Sequence, residues 1–393
     1  MKKIATALFL LVLSMSAGAQ KFDWNVNFDY IFSNYEYSRS HDAFDRSYTL
    51  HAARLTPEAG VLVMQGSNVQ HRVRAGVDVF RQMGEGLALP ELFGEILLYY
   101  DVDAAFRGGR RFEALAGCFS RRFSEADYIG PFFDDDVYFL DNNIEGMLFK
   151  YRSRRFYTEI SLDWPGMLGD SRQPERRERF QVLSAGRWNF AGDVSFCWTG
   201  SFYHYACSPL RPNVVDNHML YPRLEWAPGT FLDVLSVDLG GIFTYQCDRA
   251  AGIHPLFPMG LMSRQKIGKW KVRLDNRFYF GDDLMPLYDT VYGGETYSSG
   301  LYFGDLGFHT RQTHPSWADY LDLVYEPRIA DWASLRVALS FRFGEPSVAL
   351  DTPFYRGWQQ TVALRINLDA LRRAPKAKAS KRTPSNNNRH FFL

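Results

Sequence analysis

Long apolar runs are missing from this chain. After the first twenty residues no stretch of about 18 consecutive apolar residues occurs, which excludes a helical membrane protein. A surplus of one charge is missing too: 45 Lys and Arg face 44 Asp and Glu. The net charge of +1 gives no ground for a nucleic-acid partner. Cysteine is scarce, with Cys118, Cys197, Cys207 and Cys247 the whole set and no CxxC spacing among them. Zinc and redox motifs are therefore unsupported. Cys207 and Cys247 fall near expected strand ends and form a candidate disulfide; the alternative is four separate thiols packed as small apolar groups. GxSxG, HExxH and phosphate-binding glycine loops are all absent. Asp216-Asn217-His218 stands where a carboxylate could orient a histidine, but no serine nearby completes it, and a loop-capping cluster is the alternative. No enzyme, cofactor or metal is expected.

What the chain does have is aromatics, at 16% with 32 Phe and 22 Tyr. Abundant rings without long apolar runs fit a sheet that shows lipid an alternating face. Lys2 and Lys3, the apolar run 4–13 and Ala17-Gly18-Ala19 make a secretory signal peptide over 1–19, with cleavage expected after Ala19.

Period two then governs the chain. Phe22, Trp24, Val26, Phe28 and Tyr30 alternate with Asp23, Asn25, Asn27 and Asp29. Successive strand residues point to opposite faces, so such a segment has one apolar and one polar skin. The pattern recurs around 69–79, 156–164, 235–246, 270–280, 334–343 and 361–368. Short turn-like links near Gly66-Ser67-Asn68, Gly108-Gly109, Ser153-Arg154, Gly192-Asp193, Pro228-Gly229, Gly268-Lys269 and Ala330-Asp331 alternate with long links. That alternation predicts an all-β, antiparallel, up-and-down transmembrane β-barrel over 20–371, with 16 strands and 14 the next count. Backbone groups in lipid must bond internally, so the first and last strands must pair. Residues 372–393 carry Arg372, Arg373, Lys376, Lys378, Lys381 and Arg382 and no acidic residue, and are expected to be a disordered basic tail. The expected location is the outer membrane, with both termini periplasmic.

With the apolar skin on lipid, the polar skin lines a lumen. Arg72, Arg74, Arg187, Lys271, Arg273, Arg277, Arg336, Arg342 and Arg365 are expected there, with Asp78, Glu159, Asp238 and Asp275. The third long loop, 124–142, is acidic and aromatic, with Asp127, Asp134, Asp135, Asp136 and Asp141. It folds into the barrel as a constriction, or it stays a solvated surface loop; a divalent-cation site is a third reading. Three adjacent Asp fall short of the six to eight oxygens that calcium wants. The aromatic loop 282–317 either stacks sugars or packs as a lid.

The chain resembles outer-membrane barrel proteins of the Bacteroidota. The signal ending AGAQ, FDWNVNFDYIFSNYEY, NIEGMLFKY at 143–151, VVDNHMLYP at 214–222, DDLMPLYD at 282–289 and QQTVALRINLD at 359–369 carry the resemblance. It implies location and fold rather than activity. By analogy the layout also looks like that of 16-stranded general porins, whose third loop narrows the pore. The expected function is a porin-like channel with outer-membrane lipid and small polar solutes as partners. A non-conducting surface barrel that binds glycan or a partner protein is the alternative, and an outer-membrane lipid hydrolase the third.

Overall fold

The computed structural model describes residues 20–38, 47–84, 93–128, 130–292, 295–297, 300 and 302–368. The expected signal peptide and basic tail lie outside the described residues. One antiparallel sheet holds eighteen strand segments. Two of them, Ile253–Leu256 and Arg328–Ala330, are short strips at hairpin ends, which leaves sixteen crossing strands.

In chain order these are β1 (Gln20–Tyr37), β2 (Tyr48–Gln65), β3 (Val69–Gln82), β4 (Phe93–Phe106), β5 (Arg110–Ser120) and β6 (Asn143–Arg152). Next come β7 (Phe156–Gly166), β8 (Arg179–Ala191), β9 (Val194–Tyr205), β10 (Val215–Trp226) and β11 (Val234–Asp248). The last are β12 (Met259–Lys269), β13 (Val272–Gly281), β14 (Ser316–Tyr325), β15 (Ala333–Gly344) and β16 (Tyr355–Asn367). Each pairs with its sequence neighbours, and β1 also pairs with β16 from Asn27↔Asn367 to Tyr37↔Gly357. The sheet closes, so no wall strand keeps a bare edge.

The pleat is loaded opposite to that of a soluble protein. On β1, Asp23, Asn25, Asn27 and Asp29 are buried while Phe22 is 73% exposed. On β4, Leu97, Tyr99 and Asp101 point inward, and Ile96 and Leu98 between them are 76% and 60% exposed. Large exposed side chains continue on strand after strand, among them Phe196, Phe202, Leu220, Leu239, Phe243 and Leu261. A soluble surface does not carry so large an apolar skin; a hydrocarbon-facing one does.

Seven short turns alternate with eight long links, so one end of the barrel carries the turns and both described strand ends, Gln20 and Asn367. One turn differs from expectation. Trp270 and Lys271, not Gly268 and Lys269, make it, with φ of 54° and 70°. Positive φ at both central residues is the two-residue hairpin geometry that matches strand twist. Lys271 is therefore exposed in the turn, not on the lumen wall. Period two does not run through a turn, and that misplaced it.

Two long links turn inward. The first, 121–142, contains the short helix Asp135–Leu140; the second is 282–315. Their apolar side chains pack together and against the wall: Tyr128, Phe132 and Phe133 from the first and Leu284, Met285, Tyr302 and Phe308 from the second meet Tyr221, Met262, Tyr279 and Tyr320. Backbone bonds join the two loops, from Asp134 N to Phe303 O at 2.6 Å and from Asp305 N to Gly130 O at 2.8 Å. Rings that water would not solvate well find partners only inside. The first loop is thus an inserted element rather than a solvated one.

Candidate functional site

Inside the barrel, charge is arranged in pairs. Arg72 lies 2.6 Å from Asp101, and Arg74 lies 2.6 Å from Asp23 and 3.3 Å from Glu58. Arg187 meets Glu225 at 3.0 Å, Arg273 meets Asp275 at 2.7 Å and Arg277 meets Asp322 at 3.1 Å. Arg342 reaches Asp305 of the second inserted loop at 3.2 Å, and Arg365 reaches Asp29 at 3.4 Å. Arg336 is buried on the same skin. Most of these carboxylates were not singled out from sequence, although two-residue spacing sets Glu58, Asp101 and Asp322 on the arginines' face.

The inserted acidic residues do different things. Asp127 lies 3.3 Å from Arg264 and 3.5 Å from Lys266 on β12. Asp141 holds Arg121 at 2.7 Å from an exposed position. Asp134 takes part through its backbone, and Asp135 and Asp136 begin the short helix. Tyr128 donates to Glu159 at 2.9 Å. Burial pushes the Tyr128 phenol well up, and the Glu159 carboxylate adds to it, so the phenol stays a donor. Among the described residues no group of three or more His, Cys, Asp or Glu is arranged to hold a metal ion.

The outer skin carries polar groups too, among them Asn276, which donates to Asp319 at 2.6 Å, and a row that period two did not reveal. At the long-loop end, Phe180, His204, Asp216 and Cys247 stand opposite one another on β8, β9, β10 and β11. Nδ1 of His204 lies 2.6 Å from Oδ1 of Asp216, and Nε of Arg249 lies 3.1 Å from Oδ2 of Asp216. The Phe180 ring lies 5.2 Å from the His204 ring, and next along β10 the His218 ring lies 5.4 and 5.0 Å from Tyr245 and Phe202. A carboxylate on the lipid-facing skin is costly, and such a residue is a functional candidate by default. Its bond to Nδ1 selects the tautomer that leaves Nε2 as an acceptor. So Asp216 does orient a histidine, but His204 across the strand rather than His218. Register decides that neighbour, and register is not written in one strand.

The four cysteines are free, with Cys247 buried and Cys207 exposed, so the candidate disulfide is not formed.

A closed antiparallel barrel of sixteen strands with an apolar exterior is the fold of an outer-membrane β-barrel. One solved structure agrees in fold: a loop L8 deletion mutant of OmpT, an outer membrane protein of Vibrio cholerae, superposes with a TM-score of 0.51 at 10% identity, over 89% of this chain and 99% of that one. OpdO of Pseudomonas aeruginosa gives 0.49 at 10% identity over 88% and 97%. A Rh. blastica porin mutant gives 0.40 at 10% identity over 88% and 100%. No curated relative matches the chain. A family model described as Lipid A 3'-O-deacylase-type matches residues 15–206, just under half of the chain. That match spans β1 to β9 and includes His204.

The match overturns the expectation that the chain is not an enzyme. GxSxG and HExxH are spacings within one segment, and side chains that meet across neighbouring strands leave no such spacing.

Proposed function

We propose that this outer-membrane barrel hydrolyses an acyl ester of a lipid A-type glycolipid at its outer wall. The observation that carries the reading is the His204–Asp216 pair at 2.6 Å on the lipid-facing skin. His204 lies inside the segment that matches the deacylase-type family, and Asp216 lies beyond it. In this reading the termini are periplasmic, so the long-loop end, and the pair with it, faces the outer leaflet.

The chemistry follows from the tautomer. With Nδ1–H held by Asp216, Nε2 takes a proton from a water that attacks the ester carbonyl. The tetrahedral adduct collapses with the proton passing to the departing sugar oxygen. The products are a fatty acid and a glycolipid with a free hydroxyl. Arg249, 3.1 Å from Asp216, offers a cation to a phosphate on the substrate.

The test is mass spectrometry of lipid A vesicles incubated with the refolded full chain. Loss of one acyl chain is expected, and His204→Gln or Asp216→Asn should slow it about 10²–10⁴-fold, the usual contribution of a positioned acid–base group. An intact glycolipid after incubation with the unaltered chain overturns the proposal, as does turnover by both variants at the rate of the unaltered chain.

A second reading, a channel for small polar solutes, is favoured by Asp127 set against Arg264 and Lys266 within the barrel. Opposed acidic and basic groups at a narrowing orient dipolar solutes. Stepwise conductance in planar bilayers supports it; a silent bilayer overturns it.

A further inference from the structure

At mid-height on three neighbouring strands the apolar outer skin is interrupted. Ser263 and Gln265 stand on β12, Asn276 on β13 and Asp319 on β14, each half-buried. Their chain neighbours fix the side they face. Met262, Arg264, Asp275, Ala318 and Tyr320 are buried on the inner skin, so the residues next to them point outward. Gln265 lies directly opposite Asn276, and Asp319 lies opposite Phe278, two residues further along β13.

The rings around this row set its depth. Phe280 and Trp317 stand toward the long-loop end, and Trp270 and Tyr325 at the turn end, as the two aromatic girdles of a membrane barrel do. Asn276 is the fifth of the ten residues of β13. The row therefore lies between the girdles, at hydrocarbon depth. Its rim is apolar, with Leu261, Ile267, Leu274, Phe278 and Leu323 exposed around it.

Within the chain the row satisfies itself only in part. Nδ2 of Asn276 donates to Oδ1 of Asp319 at 2.6 Å and to the Tyr320 carbonyl at 3.2 Å. Nε2 of Gln265 donates to Oγ of Ser263 at 2.7 Å. The backbone N–H of Tyr320 gives Asp319 a second bond. An ionised carboxylate has about four acceptor sites, and each carboxamide oxygen is an acceptor as well. Among the described residues, Oδ1 of Asn276 and Oε1 of Gln265 take no hydrogen bond. Lipid tails supply no donor, and a polar group left open in hydrocarbon is costly.

We infer that this row is the centre of an interface with a second copy of the chain, the two related by a two-fold axis along the membrane normal. Depth and chemistry both point to a like partner. Every copy is inserted the same way up, so what stands at this depth on one barrel stands at this depth on the next. A two-fold axis brings a patch onto itself. The row holds amides and a hydroxyl beside a carboxylate, so each copy carries donors for the acceptors of the other. Polar side chains hold membrane segments together where contact between apolar skins gives no hydrophobic gain over lipid. Lipid headgroups lie at the level of the girdles and do not reach the row. The inference does not rest on the hydrolase reading, whose pair stands on β9 and β10.

The test is resonance energy transfer between donor- and acceptor-labelled full chains in phosphatidylcholine vesicles, with the dyes on the exposed thiol of Cys207. Transfer above that of chance encounter is expected, falling as the lipid is increased. It should rise in proportion to the acceptor fraction, the mark of a pair. Asn276→Leu combined with Asp319→Leu continues the apolar skin and strands neither partner. That double variant should weaken association roughly tenfold, the size of one good hydrogen bond between membrane segments. Val73→Ala, on the outer skin of β3 far around the wall, should leave association unchanged. Heat-modified gel mobility reports whether each barrel is folded, and Asp319→Asn serves where the double variant does not fold, with a smaller loss. Transfer no greater than chance overturns the proposal, as does unchanged association in the folded Asp319 variants or an equal loss in Val73→Ala. A curved rise with acceptor fraction, the mark of three or more copies, overturns the two-fold arrangement.

Discussion

The amide of Asp305 donates to the carbonyl of Gly130 at 2.8 Å, although the two residues belong to different loops and different halves of the chain. The bond joins the inserted loops into one body. Gly130 has φ of +104°, and a Cβ there would stand 3.3 Å from Nη1 of Arg277. Gly130→Ala should therefore cost about 1–3 kcal/mol, the usual range for a non-glycine residue in such a conformation. Limited proteolysis should cut within 121–142 sooner in the variant, while the wall keeps its folded gel mobility. Unchanged cleavage would falsify the joined-loop arrangement.

Alkali should loosen the same body. Burial, and then the Asp289 carboxylate, push the Tyr288 phenol from 10.0 up to about 12, against an opposing effect of Arg311. A raised folded-state pKa means stability that is present in full below pH 10 and is lost as pH climbs through 12. Tyrosinate absorbance should rise in that window together with protease sensitivity of the second inserted loop. In Tyr288→Phe the second change should shift or flatten; if it follows the parent curve, Tyr288 is not the group responsible.

Arg121 is buried at the root of the first inserted loop, 2.6 Å from Asp163 and 2.7 Å from Asp141. Replacing it with Met strands Asp163 on the inner skin. Breaking a buried pair from one side costs about 3–5 kcal/mol, so the urea midpoint of Arg121→Met should fall well below that of the parent. Asp141→Asn, at an exposed partner, should cost far less. Equal losses would contradict this division.

The Trp270–Lys271 turn offers a gain. A left-handed conformation costs an L-residue about 1–2 kcal/mol, and glycine avoids it at some entropic expense. Lys271→Gly should raise unfolding stability by about 0.5–1 kcal/mol, read from denaturant curves in vesicles. A decrease would show that Lys271 does something beyond turning the chain.

Asp127 sets the charge beside Arg264 and Lys266. If the barrel conducts, Asp127→Asn should lower its cation-to-anion permeability ratio, measured as a reversal potential in a salt gradient. A ratio that stays put removes Asp127 from the path.

The barrel was legible because each wall strand advertises two skins, and because turns and links alternate. Phe22 to Tyr30 alone shows which skin meets lipid. The sites were not legible in the same way. His204 and Asp216 lie twelve residues apart, and only the β9–β10 register makes them opposite partners. Asp134 and Phe303 likewise meet from loops far apart in sequence, with no period to connect them. Lys271 was misplaced for the converse reason: alternation was followed through a turn, where the backbone abandons it. Repeating geometry can be read from spacing; a meeting of unlike segments needs the three-dimensional register.

The pairing of β1 with β16 carries a consequence for biogenesis. The opening strand cannot acquire its second neighbour until the sixteenth has been delivered, so insertion has to end with a single latching event. Until that moment two rows of amides and carbonyls stand open, and a helper or a surface that shields them is required. A chain cut short before Tyr355 would forfeit the latch altogether, leaving an open sheet destined for clearance rather than a smaller barrel.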